Sequence, residues 1–324
     1  MGSWFDTQVT TGVSVPLTTL AAGYKPTGLI GTSVFPIVKS VTKSGKIPIF
    51  SSKDAFKIYQ TLRARGAKSN RAPISADSWK DFACEEHDIA IPLDNRELEE
   101  LRAIPGDARL KALFNLQDRQ RKRAQWNLAI ELEKVIADLV QDTANYPVTN
   151  YTTLTTTSCW SESGSTPIDD IETAKNVVRS LTGVYPNAMV MGIEAWDQLK
   201  FHAQYTNLLK YTERKIVTED IIAAIHNFKE VKIGLSLTVD SDEAFYDMWG
   251  DNVIIYYKPS GETPDIDEPG FGYTIRPAFS AKPYPYVDIF QEEGGKIVNV
   301  RCTDFWGHVF VMPAAGYLIK NIKR

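Results

Sequence analysis

The chain has 324 residues, 43% of them hydrophobic, and a formal charge of −4. That composition excludes a disordered chain and allows one to three folded domains. No apolar run nears the roughly 20 residues that span a bilayer. The first residues lack the basic-then-apolar order of a secretory signal, and Cys84, Cys159 and Cys302 fit neither a disulfide framework nor a Cys-based metal spacing, so synthesis in a reducing, intracellular setting is expected.

Charge is unevenly spread. Residues 39–71, KSVTKSGKIPIFSSKDAFKIYQTLRARGAKSNR, hold nine Lys or Arg against Asp54 alone. Residues 240–268 hold nine acids against Lys258. Blocks of opposite sign repel themselves and attract each other, within a chain or between chains. A basic block also suits nucleic acid.

Residues 1–33 read as an extended arm, rich in Thr, Gly and Ser and broken by Pro16 and Pro26. Its Trp4, Phe5, Val13, Val15, Leu17 and Leu29 imply that it docks on a surface. Residues 34–93 read as long strands. Lys43-Ser44-Gly45-Lys46 offers a turn between VFPIVKSV and KIPIF. In DAFKIYQTLRAR the alternation sets Phe56, Ile58 and Leu62 opposite Lys57, Tyr59, Arg63 and Arg65, with Gly66 as a bend. In FACEEHDIAIPL, Ile89, Ile91 and Leu93 share a face. Such a hairpin needs another surface to lie on.

Residues 95–141 read as helical, with a break at Pro105-Gly106 and Asp107 as a cap. From Ala108 to Gln141 there is neither Pro nor Gly, so about 50 Å of helix is expected. Leu128, Leu132, Val135, Ile136 and Leu139 form an apolar stripe, whereas QDRQRKR at 117–123 has none. The expected object is a strut with packed ends and a polar middle. From residue 150 the pattern turns to α/β alternation. Thr166 and Thr218 stand at N-cap positions, and AMVMG, KIGLSLTV and NVIIYYK read as strands. The tail after Gly270 reads as further strands, with Gly294-Gly295 the best hairpin turn.

No chemistry-bearing motif emerges. There is no dinucleotide or Walker-type glycine loop, no His-Glu-x-x-His and no GxSxG elbow. Gly28-Leu29-Ile30-Gly31 lacks the lysine that a phosphate loop needs. Glu85, Glu86, His87 and Asp88 crowd together, but on a strand they divide between two faces, which is too few ligands for a metal. His226 reads as a residue satisfied by a local hydrogen bond. Catalytic residues, cofactors and metals are all expected to be none. The basic stretch carries Tyr59 as its single aromatic after Phe56, too few for a nucleic-acid stacking platform.

The order of these parts resembles the major capsid proteins of tailed bacteriophages, with the Hong Kong 97-like fold. VFPIVKSVTKSGKIPIF and IYQTLRARGAKSNR look like the limbs of the family's extended loop, and FACEEHDIAIPLDNRELE like the strand leading into its peripheral domain. Ala108–Gln141 looks like its spine helix, TAKNVVRSLTGVYPNAMVMGIEAWDQL like part of its axial domain, and VFVMPAAGYLIKNI like its last strand. The resemblance implies an α+β fold in five parts: N-terminal arm 1–33, extended β-hairpin loop 34–81, peripheral domain with spine helix 82–150, α/β axial domain 151–258, and returning strands 259–324. It implies a structural subunit that self-assembles as pentamers and hexamers into an icosahedral shell around double-stranded DNA, touched by charge rather than sequence. A separate scaffold, portal and decoration proteins are possible partners, and no membrane is. Assembly is expected in the host cytoplasm, with the virion as destination. Lys43, Lys46, Lys57, Arg63, Arg65, Lys68 and Arg71 become the expected contacts with a neighbouring subunit. A bacterial encapsulin-like nanocompartment shell shares the fold and is an alternative. A non-specific nucleic-acid-binding protein is an alternative of another class.

Overall fold

The structure, a computed structural model, describes residues 12–22, 28–49, 56–59, 61–66, 68–71, 79–102, 104–105, 107–210, 216–239, 241–259, 268–278, 284–292 and 296–324. The chain opens with β1 (Gly12–Val13), α1 (Val15–Ala22), α2 (Gly31–Val34), β2 (Ile37–Ser40), β3 (Ser44–Pro48), β4 (Trp79–Ala83) and β5 (Glu85–Asp94). Helix α3 (Asn95–Arg102) and the 35-residue α4 (Asp107–Gln141) follow. Next come β6 (Tyr151–Thr153), α5 (Pro167–Thr182), β7 (Ala188–Gly192), α6 (Ile193–Lys200), α7 (Ala203–Leu209), α8 (Glu219–His226) and β8 (Glu230–Gly234). The chain closes with β9 (Leu237–Val239), β10 (Phe245–Asp247), β11 (Val253–Tyr256), β12 (Gly272–Pro277), β13 (Tyr286–Gln291), β14 (Ile297–Phe310) and β15 (Gly316–Lys320).

Two sheets organise this mixed α+β fold. In the first, β14 is the central long strand. Its residues 297–306 pair with β5, 298–303 also pair with β13, and 307–310 pair with β12. In the second, the order is β6-β15-β11-β7-β8. The second sheet is apolar on both faces, as its near-continuous Val, Ile and Met runs require. Alternation sends Met189, Met191, Val253 and Ile255 into a core with Ile171, Val178 and Tyr205. It sends Val190, Ile254 and Tyr256 into another with Ile136, Val140 and Trp249.

The long helix joins the two sheets. Leu113, Ala124 and Leu128 pack with Leu93, Val287 and Val300 of the first sheet. One turn on, Leu132, Ile136 and Val140 pack against the second. The expected middle is polar, but its inner face is not solvated. Arg121 and Gln125 are buried, on the same face as the stripe. Arg121 donates to Asp118 Oδ1 at 2.8 and 2.7 Å and to Gln125 Oε1, and Gln125 donates onward to the Ala21 carbonyl at 3.0 Å. Burial acts to raise the Asp118 carboxyl, but hydrogen bonds from Lys122 and Arg121 outweigh it and hold it below the usual range. Arg119, Lys122 and Arg123 are exposed, and Arg121, buried with partners at Asp118 and Gln125, is the one side chain of the run that periodicity in apolar residues cannot place.

Several strand expectations also change. The arm is partly helical. Pro16 sits in the first turn of α1, where its missing N–H removes no helix bond, and Leu17 and Ala21 are buried. Trp4 and Phe5 lie outside the described residues. VFPIVKSV and KIPIF do not pair with each other. β2 runs parallel to β12, while β3 pairs antiparallel with β4 across the base of the loop. Residues 56–59, 61–66 and 68–71 form no ladder. Thr166 and Thr218 make no side-chain cap bond, although Pro167 does open α5. Ile89, Ile91 and Leu93 do share one core. Gly294-Gly295 lies outside the described residues, between the paired β13 and β14.

A carboxylate holds the arm to this frame. Glu133, 2% exposed, falls on the buried face of the long helix, three residues before Ile136. Its oxygens accept from the backbone N–H of Ile30 at 3.0 Å and Gly31 at 2.6 Å. They also accept from Trp249 Nε1 at 2.8 Å and Ser236 Oγ at 3.3 Å. Gly31 is needed for this approach, because a Cβ there would lie 2.7 Å from Glu133 Oε2. Replacing Glu133 by Ala strands buried donors, so Glu133→Ala is expected to destabilise the subunit by about 3–5 kcal/mol. Glu133→Gln, which keeps one acceptor oxygen, should fall between it and the parent in melting temperature.

Candidate assembly interface

The seven basic residues expected at a subunit contact divide into two groups. Lys43, in the bend before β3, places Nζ 4.1 Å over the Phe305 ring. Lys46 Nζ lies 3.9 Å from Asp81 Oδ1, its register partner on β4. Both of those side chains are well exposed, so the pair contributes little. Lys57 Nζ sits 5.4 Å over Tyr59. Arg63, Arg65, Lys68 and Arg71 are exposed and meet no carboxylate among the described residues. The segment turns back on itself at Gly66, φ +84°, and Asn70 Nδ2 donates to the Leu62 carbonyl at 3.0 Å.

The apolar side chains of this segment are as uncovered as its charges. Ile58 is 96% exposed and Leu62 83%. The Phe56 ring lies against Gly183, the left-handed residue (φ +81°) that ends α5, where an added Cβ would meet it at 2.1 Å. A strand's alternate N–H and C=O groups need a partner edge, and no described strand pairs with these residues.

A second exposed surface was not anticipated. The β9–β10 hairpin presents Leu235, Leu237, Val239 and Phe245, all about half or more exposed. With Trp126 and Ile130 of the long helix and Leu29 of the arm they line an open groove of about 530 Å³. Asp242 and Glu243, part of the acidic block, stand exposed at the hairpin's tip. The remaining described acids of that block are scattered. Asp247 precedes buried Met248 and Trp249, and Asp251 lies near the C-terminus, accepting from Lys323 N at 3.3 Å.

The histidines and thiols are packed and bonded within the fold. Among the described residues no cluster of three or more His, Cys, Asp or Glu could hold a metal. His87 stacks on Trp306 at 3.6 Å with Glu131 Oε1 3.3 Å from its Nδ1. Burial pushes the Cys84 thiol up to about 11 and Cys302 up to about 12, away from thiolate chemistry. His226 is buried between Tyr205 OH at 2.7 Å and Glu172 Oε1 at 2.8 Å. Burial lowers its affinity for a proton, and Glu172 only partly offsets this. Burial likewise lowers His202, whose Nδ1 accepts from Gln204 N–H. His308 is held down to about 4, by burial and then by His87. Thr274 Oγ1, whose proton goes to the Phe35 carbonyl, lies 3.1 Å from His308 Nδ1, so Nδ1 carries the hydrogen. His308 Nε2 is buried with no hydrogen-bond partner, and a proton there would have no acceptor.

No family model matches the chain. Over 309 residues it is 34% identical to the major capsid protein of Burkholderia phage BcepMu, covering 94% of this chain and 95% of that one. This chain belongs to the phage major capsid proteins. A phage-related protein from Bordetella bronchiseptica RB50 has the same fold, with TM-score 0.76 and 25% identity over 97% of this chain and 98% of that one. A chain of the capsid structure of cyanophage P-SCSP1u shares the fold at TM-score 0.52 and 9% identity, over 89% of this chain and 86% of that one. As a major capsid protein the chain is a structural, self-assembling shell subunit of a virion, not an enzyme. No described helix is long and apolar enough to cross a membrane.

The buried histidines give this capsid subunit a defined acid response. Each has a folded-state pKa below the ordinary value of about 6.5, so the unfolded chain takes up protons first. Their stabilisation is present above that value and is lost as pH falls below it, for His308 down to about 4. The melting temperature of unassembled subunit should drop across this window. In His308→Phe the drop should be shallower.

Proposed function

We propose that copies of this chain close into an icosahedral shell around double-stranded phage DNA. The observation that carries this reading is the 34% identity to the BcepMu major capsid protein along nearly the whole chain. Residues 1–33 then serve as the arm, 34–81 as the extended loop, and 82–150 as the peripheral domain, with Asp107–Gln141 as its spine. Residues 151–258 form the axial domain and 259–324 the returning strands. Pentamers and hexamers form around the axial domains, and arms and loops tie neighbours together. A separate scaffold, a portal and decoration proteins complete this reading, with assembly in the host cytoplasm.

The loop acts through its charge. Lys43, Lys46, Lys57, Arg63, Arg65, Lys68 and Arg71 face a neighbour's carboxylates, and the last four are exposed and meet no carboxylate among the described residues. One exposed pair contributes about 0–1 kcal/mol, but a shell repeats it at every subunit. DNA inside is touched by charge, without sequence readout. A nanocompartment shell has the same fold and encloses cargo enzyme, but the relative at 34% identity is a phage protein, which favours DNA.

Negative-stain electron microscopy with light scattering on purified protein should find closed shells, tubes or sheets. A strictly monomeric sample over the whole concentration range would count against the reading. Arg63→Glu with Arg65→Glu should leave the subunit folded, with unchanged circular dichroism, and lower shell yield about tenfold, since like charges then face each other. Normal particle yield from that variant would refute the loop contact.

A further inference from the structure

The long helix passes from one core to the other between Leu128 and Leu132, and packing is incomplete at that seam. A cavity of about 410 Å³ lies there, walled by Leu128 and Leu132, Trp306 of β14, Ile37 of β2, Leu29 of the arm and Pro285 before β13. Protein interiors close-pack and leave few voids larger than a water molecule. Cavities of roughly 300–1,000 Å³ are instead the size that holds a small organic molecule. Exposed Thr32 is among the lining residues, so the cavity reaches the surface.

We propose that this cavity is a binding site for a small, uncharged molecule with an apolar body and one hydrogen-bond-accepting oxygen. The proposal goes beyond the shell reading and does not depend on it.

The polar groups decide the class. Arg276 and Asp304 both line the cavity. Asp304 is filled: its Oδ2 accepts from Arg276 Nη2 at 2.7 Å and its Oδ1 from the Phe305 N–H at 2.9 Å. Arg276 is not filled. Its Nε is buried with no hydrogen-bond partner among the described residues. An unmade bond at a buried donor costs more than a made bond contributes, so the site favours a guest that brings an acceptor. The other polar groups of the lining need nothing. Glu133 accepts from Ile30, Gly31, Trp249 and Ser236, and Gln125 is tied to Arg121 and the Ala21 carbonyl.

The same groups exclude a charged guest. An anion would lie against the carboxylates of Asp304 and Glu133, away from most water. A cation would meet the Arg276 guanidinium and find every carboxylate oxygen already bonded. Water would satisfy Arg276 Nε but gains nothing from the apolar walls, which favour an apolar body. A guest seated here touches the arm, the long helix and β14 together, so its binding stabilises the folded subunit by mass action.

The test is ligand-observed NMR on the purified full chain with acetophenone, a ring bearing one carbonyl oxygen. Saturation transfer to acetophenone should be saturable, with Kd on the order of 1 mM for so small a molecule. Benzoate and benzamidinium, the anion and the cation of similar shape, should show no saturable transfer. α-Methylstyrene, which has CH2 in place of the oxygen, should bind about fivefold more weakly because it leaves Arg276 Nε unpaired. Thr32→Trp at the mouth and Ala129→Phe in the wall should each abolish the acetophenone signal with unchanged circular dichroism, since Thr32 is exposed and Ala129 only partly buried. The comparison of acetophenone with α-methylstyrene uses the parent chain, so it decides the matter even where a variant fails to fold. No saturable signal from acetophenone would overturn the proposal, and so would a signal unchanged in both folded variants. Equal or tighter binding of benzoate or α-methylstyrene would overturn the assigned class. Shell formation is read separately by microscopy, so either failure leaves the shell reading standing.

Discussion

The contact on which the rest of the subunit depends is the buried carboxylate of Glu133. An ion is kept from water only where hydrogen bonds replace its hydration. Here two backbone amides, an indole and a hydroxyl do so. The donors come from the arm, from the strand leaving β8 and from the loop before β11. One side chain therefore sets the relative position of three regions distant in sequence. Trp249 is oriented by it and packs in the core behind the second sheet. Gly28-Leu29-Ile30-Gly31, which reads as a defective phosphate loop, does bind an anion, and the anion is the chain's own.

Around that contact the long helix acts as a beam. Its first half is packed on the sheet built about β14 and its second half on the sheet built about β11. A helix of this length gains little from propensity alone, and its stability comes from the faces it buries. The continuity of the buried face through Arg121 and Gln125 makes the beam a single packed element. The Arg121–Asp118–Gln125 chain ends on the Ala21 carbonyl, so the arm is held at two points, Ala21 and Ile30-Gly31.

Most of the buried polar groups named above are paired, and the larger uncovered apolar surfaces lie outside. The buried histidines are committed to Tyr205, Glu172, Ser165 and Thr274. They hold structure and offer no reactive group. The uncovered features lie instead on the basic segment after β3 and on the β9–β10 hairpin. One is positive and apolar, the other negative and apolar.

Much of this was legible from the residues alone. The long helix, the helix–strand alternation after residue 150 and the closing strands follow from apolar spacing, which reports the period of the element that buries it, while the α+β class came with the family resemblance. The uneven charge was equally plain, because it is a count. Tertiary structure decided the remainder. Partner choice among strands, such as β2 with β12 rather than β3, depends on edges far apart in sequence. The burial of Glu133 and Arg121 depends on donors and acceptors that no local pattern lists. Glu131 and Glu133 look alike in the sequence, and only the packing of the arm places one at the surface and the other in the core. Alternation of apolar and basic residues did not make a strand of 56–59 or 61–66, because a strand also requires a partner's backbone.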